Sequence, residues 1–389
     1  MQEQNLLSLS YGRIIRKDIN TNGGLLPASF NTYNVVEAGD IIIRPTDLQN
    51  DKRSLRTGLV KEQGIITSAY IDLRPKDNVN SKYYHYLLHS YDVIKVFYNM
   101  GNGVRQGLNF SEFAKLLLLE PTTVEQQQIA DYLDTQCSEI DATAEDIQKE
   151  ISLLEDYKKS VITEAVTKGL NPDAEMKDSG IEWIGEVPKH WGTIRIGNAF
   201  SIRNERNYLP MEQVQLLSLY SGKGVFPTGE EGTTNRGNHA QTVADYKIVK
   251  KNDIVVNIIL AWMGSLGISN YNGVVSPAYD VYIPNEEKVV PHYYHYVFRT
   301  SGIANECYRY GRGIMMMRWR TYSSEFKRIH VPFPPLEEQQ QIADFLDSKC
   351  SEIDAIIADK KRQRGILAEY KKSLIYEYVT GKKEVPVHE

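Results

Sequence analysis

Gln126-Gln127-Gln128-Ile129-Ala130-Asp131-Tyr132-Leu133-Asp134 is written a second time as Gln339-Gln340-Gln341-Ile342-Ala343-Asp344-Phe345-Leu346-Asp347. The copies stay in register further along. Cys137-Ser138-Glu139-Ile140-Asp141 returns as Cys350-Ser351-Glu352-Ile353-Asp354, and Tyr157-Lys158-Lys159-Ser160 as Tyr370-Lys371-Lys372-Ser373, all at an offset of 213 residues. Runs of this length at one register do not arise from composition, and they mark an internal duplication.

Upstream the match loosens. Leu6-Leu7-Ser8-Leu9 answers Leu216-Leu217-Ser218-Leu219, the strand-like stretch Tyr33 to Ile43 answers Tyr246 to Val256, and Tyr83-Tyr84-His85-Tyr86 answers Tyr293-Tyr294-His295-Tyr296. Between these anchors the copies differ, as Thr46 to Lys61 and Leu260 to Tyr271 do. A shared framework with divergent loops is expected where the loops do different jobs. The stretch from Met176 to Gln215 has no counterpart before Asn5, so the first copy is roughly 35 residues shorter at its start.

Each repeated run sits in a long helical pattern. Glu120-Pro121 and Pro332-Phe333-Pro334-Pro335 mark the entries, since proline ends a strand and is tolerated at a helix start. Thr122 or Thr123 can cap the first helix, and Glu125, Glu337 and Glu338 add negative charge to the first turns. Leu133, Cys137, Ile140, Ala144, Ile147, Ile151, Leu154, Lys158, Val161 and Ala165 recur in alternating steps of four and three. That is a coiled-coil seam, and a helix of about 44 residues is roughly 65 Å long. The second copy keeps Leu346, Cys350, Ile353, Ile357, Leu367, Leu374 and Tyr378, with Lys360, Arg364 and Lys371 on the same seam. The economical partner for each seam is the other copy's helix, antiparallel about a pseudo-two-fold axis, acting as a ruler between the globular parts. Gly169 and Gly381 end the helices, and the last residues are expected to fray. The pattern divides the chain into a globular part at 1–121, a helix at 122–168, a linker at 169–180, a globular part at 181–335, a helix at 336–381 and a tail at 382–389. The fold class is α+β.

Composition narrows the function. No stretch approaches the length of apolar sequence needed to span a membrane, the N-terminus lacks a signal-peptide pattern, and a cytoplasmic location is expected. Three cysteines give neither a disulfide framework nor a zinc spacing. Net charge is −5, but residues 1–120 carry 14 basic against 12 acidic side chains, 181–336 carry 17 against 13, and 125–168 carry 4 against 11. The globular parts are mildly basic and the first helix is acidic. Phosphate-binding loops, nucleophile elbows and a nuclease set of acids are missing from the sequence, and His85 and His295 sit in patterns that predict packing.

What remains is a binding surface. The first globular part offers Arg13, Lys17, Arg44, Lys52, Arg53, Arg56 and Arg105, and the second offers Arg203, Arg206, Lys223, Arg236, His239, Trp262, Arg312, Arg318 and Arg320. Arginine can bond base edges, lysine neutralises phosphate, and interleaved aromatics pack on sugars.

At this point two stretches and the layout resemble a known family. Asp178-Ser179-Gly180-Ile181-Glu182-Trp183-Ile184-Gly185-Glu186-Val187-Pro188-Lys189-His190-Trp191 looks like the module-opening box of the specificity subunits of type I restriction-modification enzymes. Pro334-Pro335-Leu336-Glu337-Glu338-Gln339 with Ile342-Ala343 and Leu346 looks like their helix-opening motif, and the twofold module-plus-helix layout is theirs as well. The resemblance implies two target recognition domains, each reading half of a split, asymmetric site in double-stranded DNA. It implies a non-catalytic chain with two modification and two restriction subunits as partners. Those partners would bring S-adenosylmethionine, ATP and magnesium. The helices would carry the subunit interfaces, on residues such as Leu133, Ile140, Ile147, Leu154, Leu346, Ile353 and Leu367. The opening box occurs once where the family has it twice. The alternative is therefore a truncated variant that scaffolds or regulates assembly and reads at most one half-site.

Overall fold

The computed structural model of the chain describes residues 5–18, 30–48, 55–98, 100, 107–221, 224–229, 242–314 and 319–386. The chain forms two compact units, Met1–Lys149 with Lys360–Glu389, and Glu150–Asp359. Strands β1 (Leu7–Ser10), β2 (Arg13–Arg16), β3 (Asn34–Val36), β4 (Ile41–Ile43), β5 (Thr57–Leu59), β6 (Gly64–Ile66) and β7 (Ile71–Leu73) precede helices α1 (Ser81–Val93), α2 (Phe110–Phe113) and α3 (Thr123–Lys168). The second copy runs β8 (Met176–Asp178), β9 (Glu186–Pro188), β10 (Gly192–Arg195), α4 (Ile196–Ala199), β11 (Phe200–Ile202), β12 (Leu217–Tyr220), β13 (Gly224–Pro227), β14 (Lys247–Val249), β15 (Ile254–Asn257), β16 (Leu266–Ile268), β17 (Gly273–Val275) and β18 (Tyr279–Pro284). It closes with α5 (Pro291–Val297), α6 (Ser301–Tyr310), α7 (Ser323–Phe326), β19 (His330–Phe333) and α8 (Leu336–Val379). The units cut across sequence order, because α3 and α8 each give their first half to one unit and their second half to the other.

In the first unit β4 lies between β5 and β7. Its three isoleucines are all buried because the strand is covered on both faces. Ile41 and Ile43 pack with Leu48, Leu88, Phe97 and Phe113, while Ile42 packs with Leu7, Val36 and Ile66 on the other face. The second unit repeats this around β15, where Val255 and Val281 face one cluster and Ile254, Val256 and Tyr282 the other. Its sheet has an extra strand, in the order β11-β18-β15-β16.

Within each unit the long helices run antiparallel, as the seam predicts. In the first, the Tyr132 and Tyr378 rings lie 4.6 Å apart and Lys371 reaches Asp141 at 2.7 Å. In the second, Lys158 reaches Asp354 at 2.6 Å and Leu346 packs with Ile162 and Val166. The seam is filled from within the chain. Leu133, Ile140, Leu346 and Ile353 are buried, and Ile147, Leu154 and Leu367 are half-buried. The buried members are therefore intrachain contacts and offer no surface to another subunit, which corrects their assignment as subunit-interface residues.

Each globular part is held by the start of one helix and the end of the other. Gln126 Oε1 accepts the Asn80 N–H at 3.0 Å and its Nε2 donates to the Pro121 carbonyl at 2.9 Å. Gln339 does the same with the Val290 N–H at 2.8 Å and the Pro334 carbonyl at 2.9 Å, and also reaches the Lys288 carbonyl at 3.2 Å. The Tyr83 hydroxyl donates to Val379 in the last turn of α8 at 3.1 Å, and Tyr293 to Val166 in the last turns of α3 at 2.8 Å. Tyr86 with Asp134 and Tyr296 with Asp347 complete the set, at 2.8 and 2.5 Å.

Thr122 is the cap of α3: its Oγ1 accepts the Glu125 N–H at 3.3 Å while Glu125 accepts the Thr122 N–H at 2.9 Å. Gly169 and Gly381 adopt φ of +76° and +70° at the helix ends, as expected of C-terminal glycines. The tail expected to fray is tied down as far as it is described. Val385 is half-buried against the α3–α8 core and Lys383 pairs with Glu377 at 2.7 Å. The three cysteines are buried and unpaired with one another.

Gln339 is fully buried and satisfies three backbone groups, so Gln339→Ala leaves buried polar groups without partners. It is expected to destabilise the second unit by about 3 kcal/mol, whereas exposed Gln340→Ala costs under ~0.5 kcal/mol. Urea unfolding followed by unit-specific probes checks this, and equal effects would contradict the anchoring role.

Candidate nucleic-acid interface

The cationic residues fall into three groups. Arg53, Arg105, Lys223, Arg236, His239 and Arg318, with Lys52, lie outside the described residues. A second group is structural. Arg56 is buried, its guanidinium donating to the Thr46 and Asp47 carbonyls and its backbone N–H to the Asp92 carboxylate. Arg203 is buried as well and grips Asp253 with two hydrogen bonds, at 2.7 and 2.8 Å, with Glu205 at 2.7 Å. A guanidinium so enclosed reaches neither a phosphate nor a base edge, so Arg56 and Arg203 are corrected from candidate DNA contacts to framework residues.

Arg203 also explains a contrast between the units. Asp253 accepts the Lys250 N–H at 2.7 Å, and its counterpart Asp40 accepts the Glu37 N–H at 2.7 Å. Asp40 takes its arginine from the other direction: Arg74, just after β7, bonds it at 3.1 and 2.8 Å. The same buried acid is neutralised from a different strand in each unit. Sequence reading missed Arg74.

The third group is exposed or half-exposed. The β1–β2 hairpin turns through Tyr11 and Gly12, at φ of 46° and 77°. Gly12 suits this place because a Cβ there would meet Leu55 at 3.0 Å. The hairpin displays Arg13, which is 76% exposed and lies 3.7 Å from Asp141, and Lys17, also exposed. Arg44 is half-buried at the end of β4. In the second unit half-buried Arg206 donates to the Asp245 carbonyl at 3.0 Å. Its loop is pinned by buried Asn207, which bonds both Leu209 and Val243, and it holds Tyr208 and Leu209 out to solvent.

The second unit brings Trp262, Arg312 and Arg320 together around two aromatics, Trp319, which stands in the suggestive stretch Arg318-Trp319-Arg320 of the sequence, and Tyr308, which the sequence did not single out. Tyr308 and Trp319 stack at 5.1 Å and 23°, and Trp262 lies 6.0 Å from Tyr308. Trp319 donates to the Tyr308 carbonyl at 3.0 Å. Arg312 and Arg320 exchange two backbone hydrogen bonds of 2.9 Å. Gly311 is required there, because a Cβ would fall 2.2 Å from the Trp319 indole nitrogen. The far end is anchored by Thr321, whose hydroxyl donates to the Cys307 carbonyl at 2.8 Å. The Arg312 side chain is 69% exposed and meets Glu325, whose carboxyl is held low by Ser324 and then by that arginine. The result is an aromatic stack beside the cations Arg312 and Arg320, residue types that suit phosphate, sugar and base-edge contacts.

His85 and His295 are packed in α1 and α5. Burial pushes both rings down to about 3, so they stay neutral. Among the described residues no cluster of acids, histidines and cysteines could hold a metal ion, and no helix is long and apolar enough to cross a membrane. Among the exposed apolar side chains of the long helices, two pairs one turn apart stand at equivalent places. Leu153 and Tyr157 on α3 are 68% and 51% exposed, and Ile366 and Tyr370 on α8 are 60% and 52%.

The model of the type I restriction modification DNA specificity domain matches residues 28–153 and 188–363, most of the chain. A Methanocaldococcus jannaschii protein assigned to the type I restriction enzyme MjaX as its specificity subunit is 27% identical over 321 residues, covering 80% of this chain and 71% of that protein. The MjaVIII specificity subunit of the same organism is 24% identical over 338 residues, covering 83% and 75%. Among solved structures, one described as the structural basis of complex assembly and conformational transition of the type I R-M system superposes with a TM-score of 0.65. It is 14% identical and covers 91% of this chain and 84% of that chain, which is a likeness of fold. Duplicated framework, divergent cationic loops and a family match over most of the sequence converge: this chain belongs to the DNA specificity subunits of type I restriction-modification enzymes.

Proposed function

We propose that this subunit reads a bipartite, asymmetric site in double-stranded DNA, one half through the loops of each unit. The observation that carries the reading is the pairing of a duplicated framework with loops that differ between the copies. Identical anchors at Gln126 and Gln339, or Tyr83 and Tyr293, give the two units a common scaffold. The loops on that scaffold share neither length nor sequence, which suits two unlike half-sites. The unread spacer is set by the helices. In this reading the chain makes and breaks no covalent bond. Methyl transfer with S-adenosylmethionine and ATP-driven cleavage with magnesium belong to modification and restriction subunits, two of each.

The modification subunits are placed on the exposed apolar pairs of the helices, since the seam itself is filled. Two equivalent pairs, Leu153 with Tyr157 and Ile366 with Tyr370, fit two copies of one partner. An i, i+4 apolar pair on a solvent-facing helix is the pattern that a partner helix covers.

Selection from a random DNA library by the chain with its modification subunits is expected to enrich a two-part motif. Enrichment of one half alone, or of none, would sink the bipartite reading. Arg312→Ala and Trp319→Ala are expected to weaken binding by ~1–3 kcal/mol, with the loss confined to one half of the motif. Competition with half-site-scrambled duplexes checks this. A loss that is uniform across sequences, with a smaller salt slope, would make these residues phosphate contacts. Leu153→Asp with Tyr157→Asp is expected to lower the number of bound modification subunits from two to one in native mass spectrometry. Retention of both would move the docking site elsewhere.

A further inference from the structure

The β1–β2 hairpin is shared framework at its base and private at its tip. It opens with Leu6-Leu7-Ser8-Leu9, and the β12–β13 hairpin of the second unit opens with the matching Leu216-Leu217-Ser218-Leu219. Leu7 and Leu9 are buried. Leu9 and Ile14 lie over Gly58 of β5, where a Cβ would fall 2.6 Å from one and 3.0 Å from the other. Beyond the matched residues the hairpins part. Ser10 pairs with Arg13, which leaves the two-residue turn Tyr11-Gly12, whereas Tyr220 pairs with Gly224, with residues 221–223 between them.

The two-residue turn breaks a local rule. Both of its residues are left-handed, at φ of 46° and 77°. The first place in such a turn ordinarily goes to asparagine, aspartate or glycine, and a bulky side chain there is strained. Packing does not compensate, since Tyr11 is 81% exposed. Strain retained without packing points to a role outside the folding of the chain.

The surroundings indicate what the ring meets. A Cβ on Gly12 would lie 3.0 Å from Leu55 and 3.6 Å from the Thr57 carbonyl, so the tip stands at the start of β5. Arg44, at the end of β4, donates its backbone N–H to the Arg56 carbonyl at that same end at 2.8 Å. The divergent stretch that begins at Thr46 departs from there as well. Ser8, Ser10, Arg13 and Ile15 share the outward face of the hairpin, which carries Arg13, Arg16 and Lys17 and no acid. Arg16 is paired with Glu62, while Arg13 is 76% exposed at 3.7 Å from Asp141 and Lys17 is exposed. The major groove of B-DNA admits a two-stranded ribbon of this kind. Tyrosine brings to it an apolar ring and one hydroxyl that donates or accepts.

We propose that the first unit enters the major groove with the β1–β2 hairpin, and that Tyr11 at its tip is a base-contacting, specificity-determining residue for one half of the site. The assignment rests on the DNA reading and gives Tyr11 a defined part in it. Arg13 and Lys17 meet phosphates beside the groove, and the tight turn, packed on Leu55, fixes the direction of the ring. The second unit differs from the first at this place in the length and residues of the turn, as unlike half-sites require.

Selection from a random DNA library by the full chain with its modification subunits tests this, with wild type compared against Tyr11→Asn and Tyr11→Ala. Asparagine suits the left-handed first position, so Tyr11→Asn is expected to unfold at a Tm no lower than wild type. Both variants are expected to keep the spacer and one half of the motif. Preference at one or two base pairs of the other half should fall at least about tenfold. A lowered Tm for Tyr11→Asn would show that the ring serves folding and overturn the assignment. An unchanged motif, or a loss spread evenly over all duplexes, would overturn it too while leaving the bipartite reading intact. A wild-type chain that selects no two-part motif would remove that reading and the role of Tyr11 together.

Discussion

Gln339 has none of its surface exposed, yet it carries an amide that must be satisfied. It answers a backbone N–H and a carbonyl at the entry to α5 and a carbonyl in the proline-rich turn into α8. Gln126 does the same work in the first unit. A buried amide tolerates little displacement, because each lost partner leaves a desolvated group behind. The tyrosines of α1 and α5 bind the far end of the opposite helix under the same constraint. The position of each globular part on its helix pair follows from these contacts. So does the close copying of the sequence around them, while the loops are free to differ.

That constraint also explains the division of the molecule. Each globular part needs the first turn of one helix and the last turns of the other to complete its core. The apolar seam between the helices closes internally, leaving Leu133, Ile140, Leu346 and Ile353 unavailable to partners. What the helices can offer is the sparser outer face, where Leu153 with Tyr157 and Ile366 with Tyr370 stand at matching positions. Arg312 and Arg320 stand beside the Tyr308–Trp319 stack, away from the helix seam.

Much of the architecture was legible before any coordinates. Helix ends, antiparallel pairing and the shared β4 and β15 frameworks follow from the repeat, from period-two and period-3.5 patterning, and from glycine and proline at the boundaries. Individual site residues were far less legible. Arg56 and Arg203 have the same sequence signature as Arg312, a cation in a divergent loop region, yet two are enclosed and one projects into solvent. Tyr308 and Trp319 are neighbours only because Gly311 lets the chain pass under an indole ring. No spacing rule announces such a contact.

The sequence by itself determined that one module occurs twice and that each copy ends in a long helix. Those properties are periodic and local, so they survive in one dimension. Tertiary structure alone decided which cations are enclosed and which are exposed, because burial depends on strands far apart in sequence. Arg203 is committed by Asp253, 50 residues away, and Asp40 is neutralised by Arg74 instead. It also decided that the equivalent buried acids Asp40 and Asp253 take their arginines from different strands. A charge can be replaced by any side chain long enough to arrive, whereas a row of backbone hydrogen bonds can be replaced only by another strand.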